Sequence, residues 1–258
     1  MQNIPQLLEQ ALHLADEADA ISMKHYRSND LVITTKPDST PVTQADTDVE
    51  SRLNDIVINI FKNAYLGEEG INNITGDLTW IVDPIDGTKS FLRNYPVWAT
   101  LIAVTQGGET LAAVVSAPAL GKRWWASKGN GAFTNDVDGS IRQIKTTAVS
   151  QYADAFVLYA MDKQEVWSPK LMPFLDTVWR HRSPGDFYNY MFIAEGSADA
   201  TFESGPKLWD VAAPKLIVEE AGGKTYQMQA QDIPADESRD FIATNGILNP
   251  DPIKMIFN

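Results

Sequence analysis

The sequence predicts an α/β protein whose helices flank mixed and largely antiparallel sheets. Two stretches near the start repeat apolar residues every three to four positions, the period of an amphipathic helix. The middle of the chain carries apolar runs rich in Val, Ile, Thr and aromatic residues, separated by short turns such as "QGGE" and "ALGK". Connections that short suit antiparallel neighbours, since parallel pairing needs a longer crossover.

From Ile4 to Met23, the residues Leu7, Leu8, Ala11, Leu12, Leu14, Ala15, Ala18 and Ile21 make one apolar helical face, with Pro5 acceptable in the first turn. A proline-punctuated loop, "TTKPDSTPVT", gives way near Thr43 to a second helix with Val49, Leu53, Ile56, Val57 and Ile60 on its apolar face. Asp46 then sits near that helix's start. "TWIVD", "VWATLIAVT", "TLAAVVSAP" and "RWWASKG" read as strands. "DAFVLYA" opens a second half, followed by helices at "SPKLMPFLDTVW" and "FYNYMFIAEG", a strand "ADATFE", and a helix "DVAAPKLIVEEAGG" closed by Gly222 and Gly223. No internal repeat or long linker intervenes. Residues 1–258 are therefore expected to form one domain, with any subdivision, about 1–147 and 148–258, being two packed halves.

Composition excludes several functions. A formal net charge of −13 over 258 residues disfavours nucleic acid or an anionic membrane as partner, because nothing offsets phosphate repulsion. With no cysteine there is no disulfide, thiolate metal site or cysteine nucleophile. The three histidines, His13, His25 and His181, are too few and scattered for a histidine-rich metal centre. The N-terminus carries Glu9, Asp16, Glu17 and Asp19 and lacks the pattern of a signal peptide. A soluble, cytoplasmic protein is expected.

The chemistry concentrates in "WIVDPIDGTKSF" at 80–91. Proline biases Asp83 toward extended backbone, so the strand is expected to end there with Asp83 at its tip. Asp86 follows one tight turn later. These two carboxylates and the Ile85 carbonyl can face one point, an oxygen-only set suited to a hard cation such as Mg2+. Gly87 removes side-chain bulk, and a helix starting at Thr88 would aim its first N–H groups at the same place, where they could hold a phosphate. The spacing is not that of an EF-hand, because counting from Asp83 puts Gly87 and Thr88 where acidic and glycine positions belong. No "GxxxxGK[ST]" loop occurs. Two further acidic features flank this stretch: Glu68 and Glu69 in "LGEEG", and Asp210 in "LWDVAAPKLIVEEAGG". Each has an ordinary structural explanation: a strand-ending turn, a solvated pair, a helix cap.

In this order and spacing, "LGEEG", "WIVDPIDGTKSF" and "WDVAAPKLIVEEAGG" resemble the three motifs of the inositol monophosphatase superfamily of Mg2+-dependent phosphatases. "TKPDSTPVTQAD", "YPVWATLIAV", "SAPALGKRWWASKGNGAF" and "GDFYNYMFIAEGSAD" are most similar to its histidinol-phosphate phosphatase branch. The resemblance covers nearly the whole chain and implies a layered α-β-α-β-α fold and a homodimer. It implies that Glu68, Asp83, Asp86 and Asp210 ligate two or three Mg2+ ions through carboxylates, and Ile85 through its carbonyl. Glu69 and Thr88 would polarise the attacking water, the N–H groups of Gly87 and Thr88 would hold the phosphate, and Asp46 would lie beside the water and a third ion.

A phosphate monoester is an anion, so an acidic site needs cations to admit it. The expected reaction is metal-assisted hydrolysis of L-histidinol phosphate without a covalent phosphoenzyme. Its ammonium calls for an acceptor. Glu203 in "TFESGPKLWD" stands where the superfamily contacts the leaving group, and Asp186 in "PGDFYNY" is a second candidate. An inositol 1-phosphatase, or a broader sugar or nucleotide phosphatase, is the nearest alternative. A divalent-cation-binding regulatory protein is the non-enzymatic one. Trp98, Trp124 and Trp125 read as core or interface residues, Arg180 and Arg182 as supports for a loop or contacts to phosphate, and Lys89 has no assigned role.

Overall fold

The computed structural model describes residues 3–35, 40–73, 76–160, 169–227 and 240–257. The proline-punctuated segment at 36–39 lies outside them. Helix α1 (Ile4–His25) starts with Pro5 in its first turn, and its N-cap Asn3 accepts the Gln6 N–H. Short strands β1 (Ile33–Thr35) and β2 (Pro41–Thr43) pair antiparallel. Thr43 then caps α2 (Gln44–Ile56), and a π-helical turn follows at Val57–Phe61. The wider turn advances the chain by an extra residue and rotates the apolar stripe off the core. Val57 is buried as expected, but Ile60 is 67% exposed.

Strands β3 (Ala64–Gly67), β4 (Asn72–Asn73) and β5 (Leu78–Asp86) lead into a five-residue helix α3 (Thr88–Leu92). Next come β6 (Ala99–Gln106), β7 (Glu109–Ala117), β8 (Lys122–Ser127), β9 (Ala132–Asn135) and β10 (Ile141–Ile144). These make an eight-stranded sheet in the order β10-β9-β8-β7-β6-β5-β3-β4. The hairpins from β5 to β10 are antiparallel, whereas β3 and β5 are parallel. The expected strand end at Asp83 is corrected. The strand runs on through Pro84 to Asp86, with a register irregularity between Asp83 and Asp86. The break in register lets the ladder accommodate a residue with no N–H.

A second, five-stranded sheet has the order β12-β11-β13-β15-β14. It is built from β11 (Phe156–Ala160), β12 (Arg180–Arg182), β13 (Ala200–Glu203), β14 (Lys224–Gln227) and β15 (Phe241–Thr244). Helices α4 (Leu171–Leu175), α5 (Asp186–Ala194), α6 (Leu208–Glu220) and α7 (Asp251–Phe257) complete the order. Strand alternation explains the layering. Trp80, Val82, Ile102 and Val114 pack on one side with Leu7, Leu14, Val49 and Leu53 of α1 and α2. Ile81, Leu101 and Val115 face the other way, onto Phe187, Met191 and Ile217 of α5 and α6. Leu158, Phe241 and Ala243 of the second sheet close on that same helical layer. Val157, Phe202 and Ile242 pack outward with Leu171, Leu175, Ile253 and Ile256 of α4 and α7. The result is α-β-α-β-α layering.

Candidate active site

The carboxyl ends of β3, β5, β11 and β13 and the starts of α3, α5 and α6 border one cleft of about 330 Å³. Its lining includes Glu68, Asp83, Ile85, Asp86, Gly87, Thr88, Lys89, Asp186, Glu203 and Asp210. Strand ends and helix starts are where an α/β architecture exposes side chains and N–H groups with positive character, which steady clustered acids.

Asp83, Asp86 and Asp210 each offer a carboxylate oxygen, and the three oxygens lie within 4.8 Å of one another. Asp83 is 2% exposed, and its Oδ1 is buried with no hydrogen-bond donor among the described residues. Asp86 Oδ2 accepts the Phe187 N–H at 2.7 Å, which ties β5 to the first turn of α5. Asp210 is the third residue of α6, not its cap, and accepts the Lys207 N–H at 2.6 Å. Burial, then the neighbouring carboxylates, push Asp83 and Asp86 well above the usual carboxylate range. Burial, with Glu68 and Asp186 adding to it, raises Asp210 to about 7. Acids crowded this way hold protons unless a cation takes their place. An all-oxygen set with an orphaned buried carboxylate oxygen fits a hard divalent ion.

Gly87 has φ +83, in the left-handed region where an L side chain is strained, and a Cβ there would sit 3.0 Å from the Val97 carbonyl and 3.1 Å from Asp186 Oδ2. That glycine lets β5 turn directly into α3. The Thr88 hydroxyl lies 3.1 Å from the Ile85 carbonyl and 3.3 Å from Asp46 Oδ1, both acceptors for its proton. Asp46, fully buried, is held by the Thr43 N–H at 2.8 Å and the Thr43 hydroxyl at 2.5 Å in a capping box. Glu69 stands next to the lining residue Glu68 but does not itself border the cleft.

Glu203, also in the cleft lining, accepts the Tyr190 hydroxyl through Oε2 at 2.5 Å. Burial first, then Asp210, raise Glu203 to about 8. Asp186 is the first residue of α5 and has φ +49, a left-handed conformation that aspartate tolerates better than most residues. Burial raises it and the Lys89 charge opposes the shift, which gives Lys89 a neighbour that sequence left open.

Arg180 and Arg182 do not border the cleft. They lie on β12, where Arg180 stacks 5.1 Å over the Phe156 ring and Arg182 donates to the His181 carbonyl. Trp98 and Trp124 are fully buried. Sequence reasoning missed Tyr190 and Glu50. Glu50 stands four residues after Asp46, on the same helical face, a spacing that could have revealed it.

The sequence profile of the inositol monophosphatase family matches residues 3–255. The chain belongs to the inositol monophosphatase family. A histidinol-phosphatase of Streptomyces coelicolor is 41% identical over 244 residues, covering 92% of this chain and 91% of that protein. One from Mycobacterium tuberculosis is 41% identical over 251 residues, 93% of each. In fold, the crystal structure of an IMPase/NADP phosphatase complexed with Mg2+ and phosphate aligns with a TM-score of 0.85 at 21% identity, covering 100% of this chain and 97% of that one. The family is metal-dependent, in keeping with the oxygen-only cluster. Among the described residues, no helix is long and apolar enough to cross a membrane.

Proposed function

We propose that the protein is a Mg2+-dependent phosphatase that hydrolyses L-histidinol phosphate to L-histidinol and phosphate, a step of histidine biosynthesis. One observation carries the reading. The three converging carboxylates and the start of α3 share one cleft lining with two further acids, Asp186 and Glu203, and among the described residues Lys89 is the one cationic side chain in that lining. The first group suits a phosphate accompanied by metal, and the second suits an ammonium on the alcohol.

Asp83, Asp86, Asp210, Glu68 and the Ile85 carbonyl hold the metal, about two or three ions by the usual logic of such sites. Magnesium bound there supplies the positive charge and Lewis acidity that phosphoryl transfer requires. The Gly87 and Thr88 N–H groups bind the phosphate oxygens. Because the Thr88 hydroxyl donates to Asp46 or to the Ile85 carbonyl, its lone pairs are left to accept a hydrogen from the attacking water and fix its direction. Glu69, beside Glu68 and outside the cleft lining, draws the water's proton away through an intervening hydrogen bond, not by direct contact. Glu203, oriented by Tyr190, and Asp186 receive the substrate's ammonium. The identity of the two 41% relatives supports this choice of alcohol.

Phosphate release should be measured on histidinol phosphate, inositol 1-phosphate, fructose 1,6-bisphosphate and adenosine 3',5'-bisphosphate, with and without Mg2+. Histidinol phosphate is expected to give the highest kcat/KM, and only with Mg2+. A higher kcat/KM on any of the others would overturn the choice of substrate.

A further inference from the structure

Glu50 is a charged side chain with only 1% of its surface exposed, on the face of α2 that also carries Asp46. Its two carboxylate oxygens are both spent on one loop. Oε2 accepts the Glu69 N–H at 2.8 Å and Oε1 accepts the Ile71 N–H at 2.9 Å. Charge-assisted bonds of this kind are shorter and stronger than neutral ones, and a buried carboxylate needs them. The chain is shaped to receive it: a Cβ on Gly67 would collide with the Glu50 carboxylate, so the end of β3 approaches as closely as only glycine allows. The loop is closed behind the carboxylate by the Gly67 N–H to the Ile71 carbonyl, 2.9 Å, and anchored to β5 by the Glu68 N–H to the Val82 carbonyl, 3.2 Å.

Glu50 does not border the cleft. It nevertheless joins the helix that presents Asp46 to the loop that presents Glu68 and Glu69. We infer that Glu50 is a positioning residue, which sets the loop bearing Glu68 and Glu69 relative to Asp46 and thereby fixes the Mg2+ affinity of the site without touching metal or substrate. The inference rests on the metal-dependent reading above.

The molecule contains its own control. Glu220 makes the same kind of double clamp, accepting the Gly129 N–H at 2.7 Å and the Gly131 N–H at 2.8 Å, and it too lies outside the cleft lining. Glu50→Gln keeps the volume but turns an amide donor toward one of two N–H donors, and Glu220→Gln does the same at the remote clamp. Calorimetric titration with Mg2+ alone, and the Mg2+ dependence of phosphate release, read the result. E50Q is expected to weaken Mg2+ binding by about ten- to a hundred-fold, the usual cost of losing a support behind a metal ligand. Its KM for substrate at saturating Mg2+ should stay within about two-fold of the unmutated protein, as expected when the lost interaction concerns metal and not substrate. E220Q should leave both Mg2+ readouts unchanged. Mg2+ affinity in E50Q equal to that of the unmutated protein, or an equal loss in E220Q, would overturn the inference. If E50Q does not fold, Glu50→Asp, which keeps both oxygens on a stem one methylene shorter, is judged by the same two criteria. Absence of hydrolysis by the unmutated protein would sink the proposed function alone, because the calorimetric comparison still decides the role of Glu50.

Discussion

Asp83 and Asp210 illustrate how much a single atom can contribute in this protein. Asp83 Oδ1 is buried without a donor among the described residues, and Asp210 shares its surroundings with Glu68, Asp83 and Asp186. Asp210→Asn preserves shape and the Lys207 N–H contact through the remaining oxygen while removing a negative charge from the cluster. The expected outcome is loss of Mg2+-dependent phosphate release by about a hundred-fold or more, with an unchanged far-UV circular dichroism spectrum. Near-normal turnover would remove Asp210 from the metal set. Of these residues, Asp83, Asp86 and Asp210 were legible in sequence because each breaks an apolar run with an acid at a turn or helix start. Tyr190 was not, because an aromatic residue in an apolar helix reads as core. Its bond to Glu203 depends on β13 passing beside α5, which no local pattern encodes.

At the scale of elements, α2 is a delivery device for Asp46. Its capping box spends one Asp46 oxygen on Thr43 and leaves the other toward Thr88. Thr43→Ala removes the hydroxyl that donates to Asp46 Oδ2 and accepts the Ala45 and Asp46 N–H groups, and leaves the backbone N–H of residue 43 on Asp46. It should cost about 0.5–2 kcal/mol of stability, read by urea unfolding, together with a fall in kcat. A full stability loss with unchanged kcat would separate the cap from the chemistry. The hairpins from β6 to β8 were readable because glycine turns of a few residues force antiparallel neighbours. The parallel pairing of β3 with β5, and of β11 with β12 and β13, was not, since parallel partners are chosen by the packing of whole layers. Pro84 misled for a similar reason: a proline's local preference is to end a strand, and here the sheet keeps the strand and shifts its register.

For the whole molecule, the buried acids make stability depend on pH and metal together. Without metal, the fold holds the Asp210 proton up to about 7 and the Glu203 proton up to about 8, whereas in an unfolded chain such groups ionise near about 4. Between those values the folded state binds more protons than the unfolded state, so stability is greatest at the acid end of that window and falls as pH rises through it. Mg2+ held by the Asp83, Asp86 and Asp210 carboxylates would replace the Asp210 proton and act in the opposite sense. The melting temperature of the metal-free protein should therefore drop from about pH 5 to about pH 8, and the rise on adding Mg2+ should be larger at the higher pH. Scanning fluorimetry across that range tests both slopes. A melting temperature of the metal-free protein that rises with pH would contradict the picture of crowded, proton-holding carboxylates.

The bond from the Phe187 N–H to Asp86 spans 101 residues of chain, and the cleft as a whole takes Glu68, Asp83 and Asp86 from the first sheet's segment and Asp186, Glu203 and Asp210 from the second's. A ribosome that has delivered the sequence through Ile144 has delivered all eight strands of the first sheet but only part of the acid cluster. On the proposed assignment of Asp210, hydrolysis needs α6, and a product truncated before it is expected to be inert, not a weak and indiscriminate phosphatase.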